Sequence, residues 1–109
     1  MIKPMIPDPP EHFTETSSNL WRSVLKEYEL EAHSLELLKA ACEALDRANE
    51  AREKIAVDGA YFKDRFNQPR EHPAVAVERH SRILFARLLR ELCLDIEPPA
   101  DPSRPPGLY

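Results

Sequence analysis

The apolar positions of this chain change rhythm four times, and each change predicts an element. Leu20, Trp21, Val24, Leu25 and Tyr28 recur at three- and four-residue spacings, the period of one helical face. Ser17-Ser18-Asn19 supplies capping side chains before them, so a short first helix is expected there, with Trp21 as a buried aromatic anchor. A longer run follows, in which Leu35, Leu38, Cys42, Leu45, Arg52 and Ile55 keep the same alternation beside Ala41, Ala44, Ala48 and Ala51. This second helix is expected to be capped by His33-Ser34 and to reach about Val57, with Gly59 as a stop needing a left-handed backbone. Its alanines let another helix approach closely, and its mixed charges, among them Glu43, Asp46, Arg47 and Glu50, read as a solvated face.

Between Gly59 and Pro73 the helical period is lost. Tyr61, Phe62 and Phe66 predict a small β-hairpin or a folded loop whose aromatics cover the helical core. Pro73 then opens a third helix, at the position where a missing N–H costs nothing, and Pro98-Pro99 forbids its continuation beyond about Leu94. Apolar residues occupy most of its circumference, so it needs more than one packing partner. The spacings assign Ile83, Leu84, Leu88 and Leu92 to the interior and leave Phe85 and Leu89 for a neighbouring subunit. The expected fold is all-α: a short N-terminal helix laid across a long antiparallel helical hairpin, with a small extended or β-hairpin connector.

Composition sets the boundaries of that fold. The 109 residues, 42% of them hydrophobic, suit one domain with a modest core. Prolines gather at the two ends, which divides the chain into a proline-rich arm at 1–13, a helical oligomerisation core at 14–96 and a proline-rich tail at 97–109. Both ends offer little apolar area, so they are expected to run extended along a surface or stay disordered. Cys42 and Cys93 fall on separate helices, which fits reduced, buried thiols in a cytoplasmic protein. No apolar stretch approaches a membrane span, and the first residues lack the apolar region of a signal peptide.

Catalytic chemistry finds little to build on. With only two glycines there is no phosphate-binding loop, and no closely spaced cysteine pair offers a zinc site. His72 and His80 on a continuous helix would be separated by about 12 Å of rise and about 80° of rotation, too far for one metal, so capping or surface roles are expected. Glu27, Glu29 and Glu31 read as a charged helix end and connector. The residues therefore predict neither enzyme activity nor a cofactor.

Charge is more informative than catalysis. The net charge of -4 excludes a chain that is basic throughout, so any nucleic-acid contact must come from a local patch. From Glu11 to Glu53 five Lys and Arg face ten Asp and Glu, whereas from Lys63 to Arg90 seven cations outnumber three carboxylates. Arg79 and Arg82 share a helix face, and Arg65 and Arg70 precede them on the connector. These four are candidate phosphate contacts, with the alternative that they pair with acidic residues within or between subunits.

The order of these elements resembles a known family. A proline-rich start, Asn19-Leu20-Trp21 in a first short helix, a long alanine- and leucine-rich helix ending Ala56-Val57-Asp58-Gly59, then Pro73-Ala74-Val75 and a helix closing Leu88-Leu89-Arg90-Glu91-Leu92-Cys93-Leu94 are similar to the small subunit of tailed-phage terminases, in particular those of cos-type phages and prophages. His72 stands where members usually carry Asn, and Cys93 where they usually carry Gly. The resemblance implies a non-enzymatic subunit of the viral DNA-packaging motor, working in the host cytoplasm. Such a subunit binds double-stranded viral DNA and recruits or regulates the ATPase and nuclease large subunit. It also implies a cyclic homo-oligomer, a ring with a central channel. The tail ending Leu108-Tyr109 is then a candidate docking peptide for the large subunit. Two other functions fit the residues: a small dimeric DNA-binding regulator, although the connector is too long for a helix-turn-helix, and a helical adaptor that never touches DNA.

Overall fold

A computed structural model describes residues 6–92. Along them run α1 (Glu15–Glu27), α2 (Ala32–Asp58), β1 (Tyr61–Lys63), β2 (Pro69–Glu71) and α3 (Pro73–Glu91). The described chain is mostly helical, with one two-stranded antiparallel sheet added to the expected helices. Cys93 and the tail from 97 onward, including Leu108 and Tyr109, lie outside the described residues.

Helices α2 and α3 form the antiparallel hairpin. Asp58 meets His72, Arg52 meets Glu78 and Asn49 meets Arg82, so one partner steps back along α2 as the other advances along α3. Ala41, Ala44, Ala48 and Ala51 are buried on α2, and Ala74 and Ser81 are buried on α3. Small side chains on both faces permit a close helix approach. They also set the rotation of α3 about its axis, because the helix turns its smallest residues toward the alanines. That rotation corrects the expected assignment: Ile83 is 53% and Leu84 44% exposed, while Leu88 is half-buried and Leu92 buried. Phe85 is half-buried and Leu89 packs against the core.

The core lies where α1 crosses α2 near the end of α3, and it gathers Phe13, Trp21, Val24, Leu38, Cys42 and Leu92. Trp21 is its aromatic anchor, packed edge-on to Phe13 at 5.9 Å, with its indole N–H donating to the Pro7 carbonyl at 2.9 Å. Residues 7–13 of the proline-rich arm are thus drawn onto the core by one buried ring and one hydrogen bond. Burial, with the nearby Asp46 and Glu43 charges, pushes the Cys42 thiol up to about 12, so it stays protonated and unreactive.

The helix ends depart from the local capping signals. Helix α1 starts three residues before Ser18, with Thr14 as its cap, and Ser17 lies fully buried within its first turn. The cause is Asp46 on α2. Its carboxylate accepts from the Thr14 backbone N–H at 3.1 Å, the Thr14 hydroxyl, and the Ser17 hydroxyl at 2.7 Å. A helix end whose free N–H groups and positive dipole meet a carboxylate is stabilised wherever in the chain that carboxylate originates. Glu43 likewise meets His12 at 2.7 Å. These two residues, expected on a solvated face, instead hold the segment leading into α1.

Helix α2 begins at Ala32 rather than at a His33-Ser34 cap, and its cap residue Glu31 makes no side-chain capping bond. At its other end Gly59 takes φ 85°, and its N–H returns to the Ile55 carbonyl at 2.7 Å. A Cβ there would sit 3.7 Å from the Tyr61 carbonyl, an ordinary contact, so positive φ rather than crowding requires the glycine. His72 then caps α3 in the manner expected of it. Its Nδ1 accepts from the Ala74 N–H at 3.0 Å while its Nε2 lies 3.0 Å from Asp58. An acceptor at Nδ1 fixes the neutral ring with its proton on Nε2, directed at the Asp58 carboxylate.

Candidate nucleic-acid interface

The connector between the long helices is a β-ribbon with register Tyr61 to Glu71, Phe62 to Arg70 and Lys63 to Pro69. All six strand residues are exposed, and the aromatics that were expected to cover the core stand away from it. Tyr61 is 68%, Phe62 46% and Phe66 67% exposed. Alternation explains part of this: Tyr61 and Lys63 share one face of the ribbon and Phe62 shares the other with Arg70, so neither face is uniformly apolar.

Asp64 builds the turn. Its backbone N–H donates to the Gln68 carbonyl at 3.0 Å, and its own carbonyl accepts from the Asn67 N–H at 2.9 Å. One carboxylate oxygen accepts the N–H groups of Phe66 at 2.8 Å and Gln68 at 3.0 Å, and the other accepts from the Arg70 guanidinium at 2.9 Å. Asn67 adopts φ 59°, a left-handed turn position that Asn tolerates better than most residues. The Arg70 bond, followed by the two backbone N–H groups, holds the Asp64 carboxyl below its ordinary value of 3.8.

The four nominated arginines divide into two kinds. Arg70 is committed to Asp64, and Arg82 to Glu78 through Nε at 3.1 Å and a terminal nitrogen at 3.0 Å, with a further bond to Asn49 at 3.4 Å. Both are structural braces within one subunit. Arg65 instead lies over the Phe66 ring at 4.9 Å, a contact that leaves its N–H edges available. Among the described residues, no carboxylate lies within ion-pair distance of Arg65, Arg79 or Lys63. Once Asp64 and Glu78 are engaged, the ribbon and the start of α3 present Lys63, Arg65 and Arg79 with Glu71 as the unengaged carboxylate.

Of the four arginines nominated as phosphate contacts, Arg65 and Arg79 have no ion-pair partner among the described residues, and Lys63, which was not nominated, joins them. Asp64 was also missed as the residue that shapes the tip. An Asp three positions before an Asn, just after the aromatic pair Tyr61-Phe62, is the local signal that would have found it. Among the described residues no cluster of His, Cys, Asp and Glu can hold a metal ion, and no helix is long and apolar enough to cross a membrane.

Residues 18–103 match the family model described as phage terminase, small subunit. No curated protein and no solved structure matches the chain.

Proposed function

The chain belongs to the phage terminase small-subunit family and so has a role in phage DNA packaging, and from that premise we propose that it binds double-stranded viral DNA and engages the ATPase and nuclease large subunit. It does so in the host cytoplasm and without a catalytic centre of its own. The observation that carries the DNA reading is the separation of braced from unpaired cations. Arg70 and Arg82 are neutralised inside the subunit, whereas Lys63, Arg65 and Arg79 have their positive charge unspent. Lys63, Arg65 and Arg79 lie in the stretch from Lys63 to Arg90, where cations outnumber carboxylates in a chain of net charge -4, and such a local excess is suited to phosphate, since each contact releases counterions from the duplex.

Self-assembly into a ring belongs to the same proposal. Val77 and Leu84, seven residues apart, share an exposed apolar face of α3 with Ile83 exposed to one side of it, which a second copy would cover. Phe85 and Leu89, expected at that contact, lie toward the hairpin and would support that face from beneath. A ring also multiplies weak phosphate contacts into useful affinity. The tail ending Leu108-Tyr109 supplies the large-subunit contact in this reading.

Native mass spectrometry combined with duplex binding at several salt concentrations tests the whole. A cyclic oligomer whose affinity for DNA falls steeply with salt is expected. A dimer would favour the regulator instead, and a protein that ignores duplex DNA at low salt would favour the adaptor. Removal of residues 97–109 is expected to leave the oligomer intact and abolish stimulation of the large subunit.

A further inference from the structure

We propose that the Tyr61–Glu71 ribbon is a pre-formed DNA-gripping element, which enters a groove of the duplex tip first and places Arg65 and Lys63 on the flanking phosphates. The inference rests on the DNA-binding reading above and adds to it a specific element and mode of contact.

Shape is the first support. Two antiparallel strands lie about 4.8 Å apart, and a two-stranded ribbon is admitted by the major groove, which is about 12 Å wide. Charge is the second. The tip holds one carboxylate, Asp64, and both its oxygens are occupied by Arg70 and by the Phe66 and Gln68 N–H groups. Three of its roughly four lone-pair sites are thus engaged and its charge is offset by Arg70, while Lys63 and Arg65 are unopposed. The guanidinium of Arg65 lies over the Phe66 ring at 4.9 Å, which limits its rotamers and leaves N–H groups to pair with phosphate.

Pre-organisation is the third support. A loop that orders on binding loses affinity to the entropy of ordering, and the Asp64 hydrogen bonds remove that cost beforehand. The exposed rings of Tyr61 and Phe66 contribute nothing to the core, and inside a groove they would lie against sugar and base edges. The opposite end of α2 reinforces the polarity. Glu27, Glu29 and Glu31 are exposed there, about 40 Å away along a helix of 27 residues at 1.5 Å rise. A duplex is repelled from that end and attracted to the ribbon.

The test is fluorescence anisotropy of the full chain with a labelled 30-base-pair duplex, about 30 being long enough for several helical turns, read as the slope of log affinity against log salt. Lys63→Ala/Arg65→Ala removes two phosphate contacts, so the slope is expected to become shallower by about 1.8 for each protomer engaged. Lys63→Gln/Arg65→Gln repeats the charge loss with side-chain length retained, and native mass with circular dichroism confirms assembly for both. Asp64→Asn separates geometry from charge. It removes a negative charge, which by itself would strengthen DNA binding, but it also loosens the turn; weaker binding with an unchanged slope is expected. An unaltered slope in both double variants, with the loss appearing in Arg79→Ala, would put DNA along α3 and overturn the ribbon while sparing the DNA-binding reading. Retained DNA binding with lost stimulation of the large subunit would make the ribbon a protein contact and overturn it as well. Wild-type protein that binds no duplex refutes the underlying reading itself.

Discussion

Asp46 provides the sharpest test of how this small fold is held together. Asp46→Ala deletes the carboxylate that receives the Thr14 N–H, the Thr14 hydroxyl and the Ser17 hydroxyl. The Ser17 bond is partly buried and charge-assisted and is worth about 1.5 kcal/mol, while the two exposed Thr14 bonds are worth about 0.5 kcal/mol each. The carboxylate at the positive end of α1 adds about 0.5 kcal/mol. The sum is about 3 kcal/mol, against a total stability of about 5–15 kcal/mol for a domain. No full burial penalty is added, because the Ser17 hydroxyl keeps the Thr14 carbonyl at 3.3 Å as a second partner. With a urea m-value of about 2 kcal/mol per molar, the midpoint should fall by about 1.5 M. Trp21 fluorescence is the natural probe, since the indole sits on α1 and is buried by the docked segment. All variants need one protomer concentration, because assembly contributes to stability by mass action. Asp46→Asn, which keeps an acceptor but loses the charge, should recover roughly half the loss. A loss below about 0.5 kcal/mol, or no coupling between Asp46→Ala and Ser17→Ala in a double-mutant cycle, would refute the claim that Asp46 docks α1.

Three further outcomes are expected. In a Cys93→Ser background, Cys42 should react with a thiol reagent only at the rate of unfolding, because its thiol is pushed up to about 12; rapid labelling of the folded protein at mildly alkaline pH would contradict its burial. The Asp64 carboxyl is depressed, so its contribution is present above 3.8 and is lost as pH falls through its lower folded value. The Phe66 and Gln68 amide resonances should therefore titrate with a midpoint below 3.8, and a midpoint at or above it would refute the turn. His72→Ala should cost about 1 kcal/mol in urea denaturation through loss of the α3 cap, and His72→Asn should restore most of it; equal losses would shift the weight from the cap to the Asp58 contact.

Much of the architecture is legible in the residues. Three helices, the Gly59 stop, the Pro73 start, the buried Trp21 and the antiparallel pairing all follow from period, punctuation and a stripe of alanines. Those signals are local, and a helix states its face within two turns of its own sequence. Half of the candidate interface was legible on the same ground, since cations cluster visibly between Lys63 and Arg90. Which of them are spent on braces was not, because Arg82 finds Asn49 only across the packed helices, and Arg70 finds Asp64 only once the ribbon has closed.

Sequence alone therefore determined the elements, their order and the basic half of the chain. Tertiary structure decided the rotation of α3, which exposes Ile83 and Leu84 and turns Phe85 and Leu89 toward the hairpin. It also decided the start of α1, fixed by a carboxylate about thirty residues away, and the projection of Tyr61, Phe62 and Phe66 from the core. The start of α1 follows the Asp46 carboxylate, and the rotation of α3 follows a competition between two of its faces. Close packing of Ala74 and Ser81 against the α2 alanines outweighs burial of the larger aliphatics on α3, and a periodic pattern records where apolar residues lie but not which of two competing faces packs more closely.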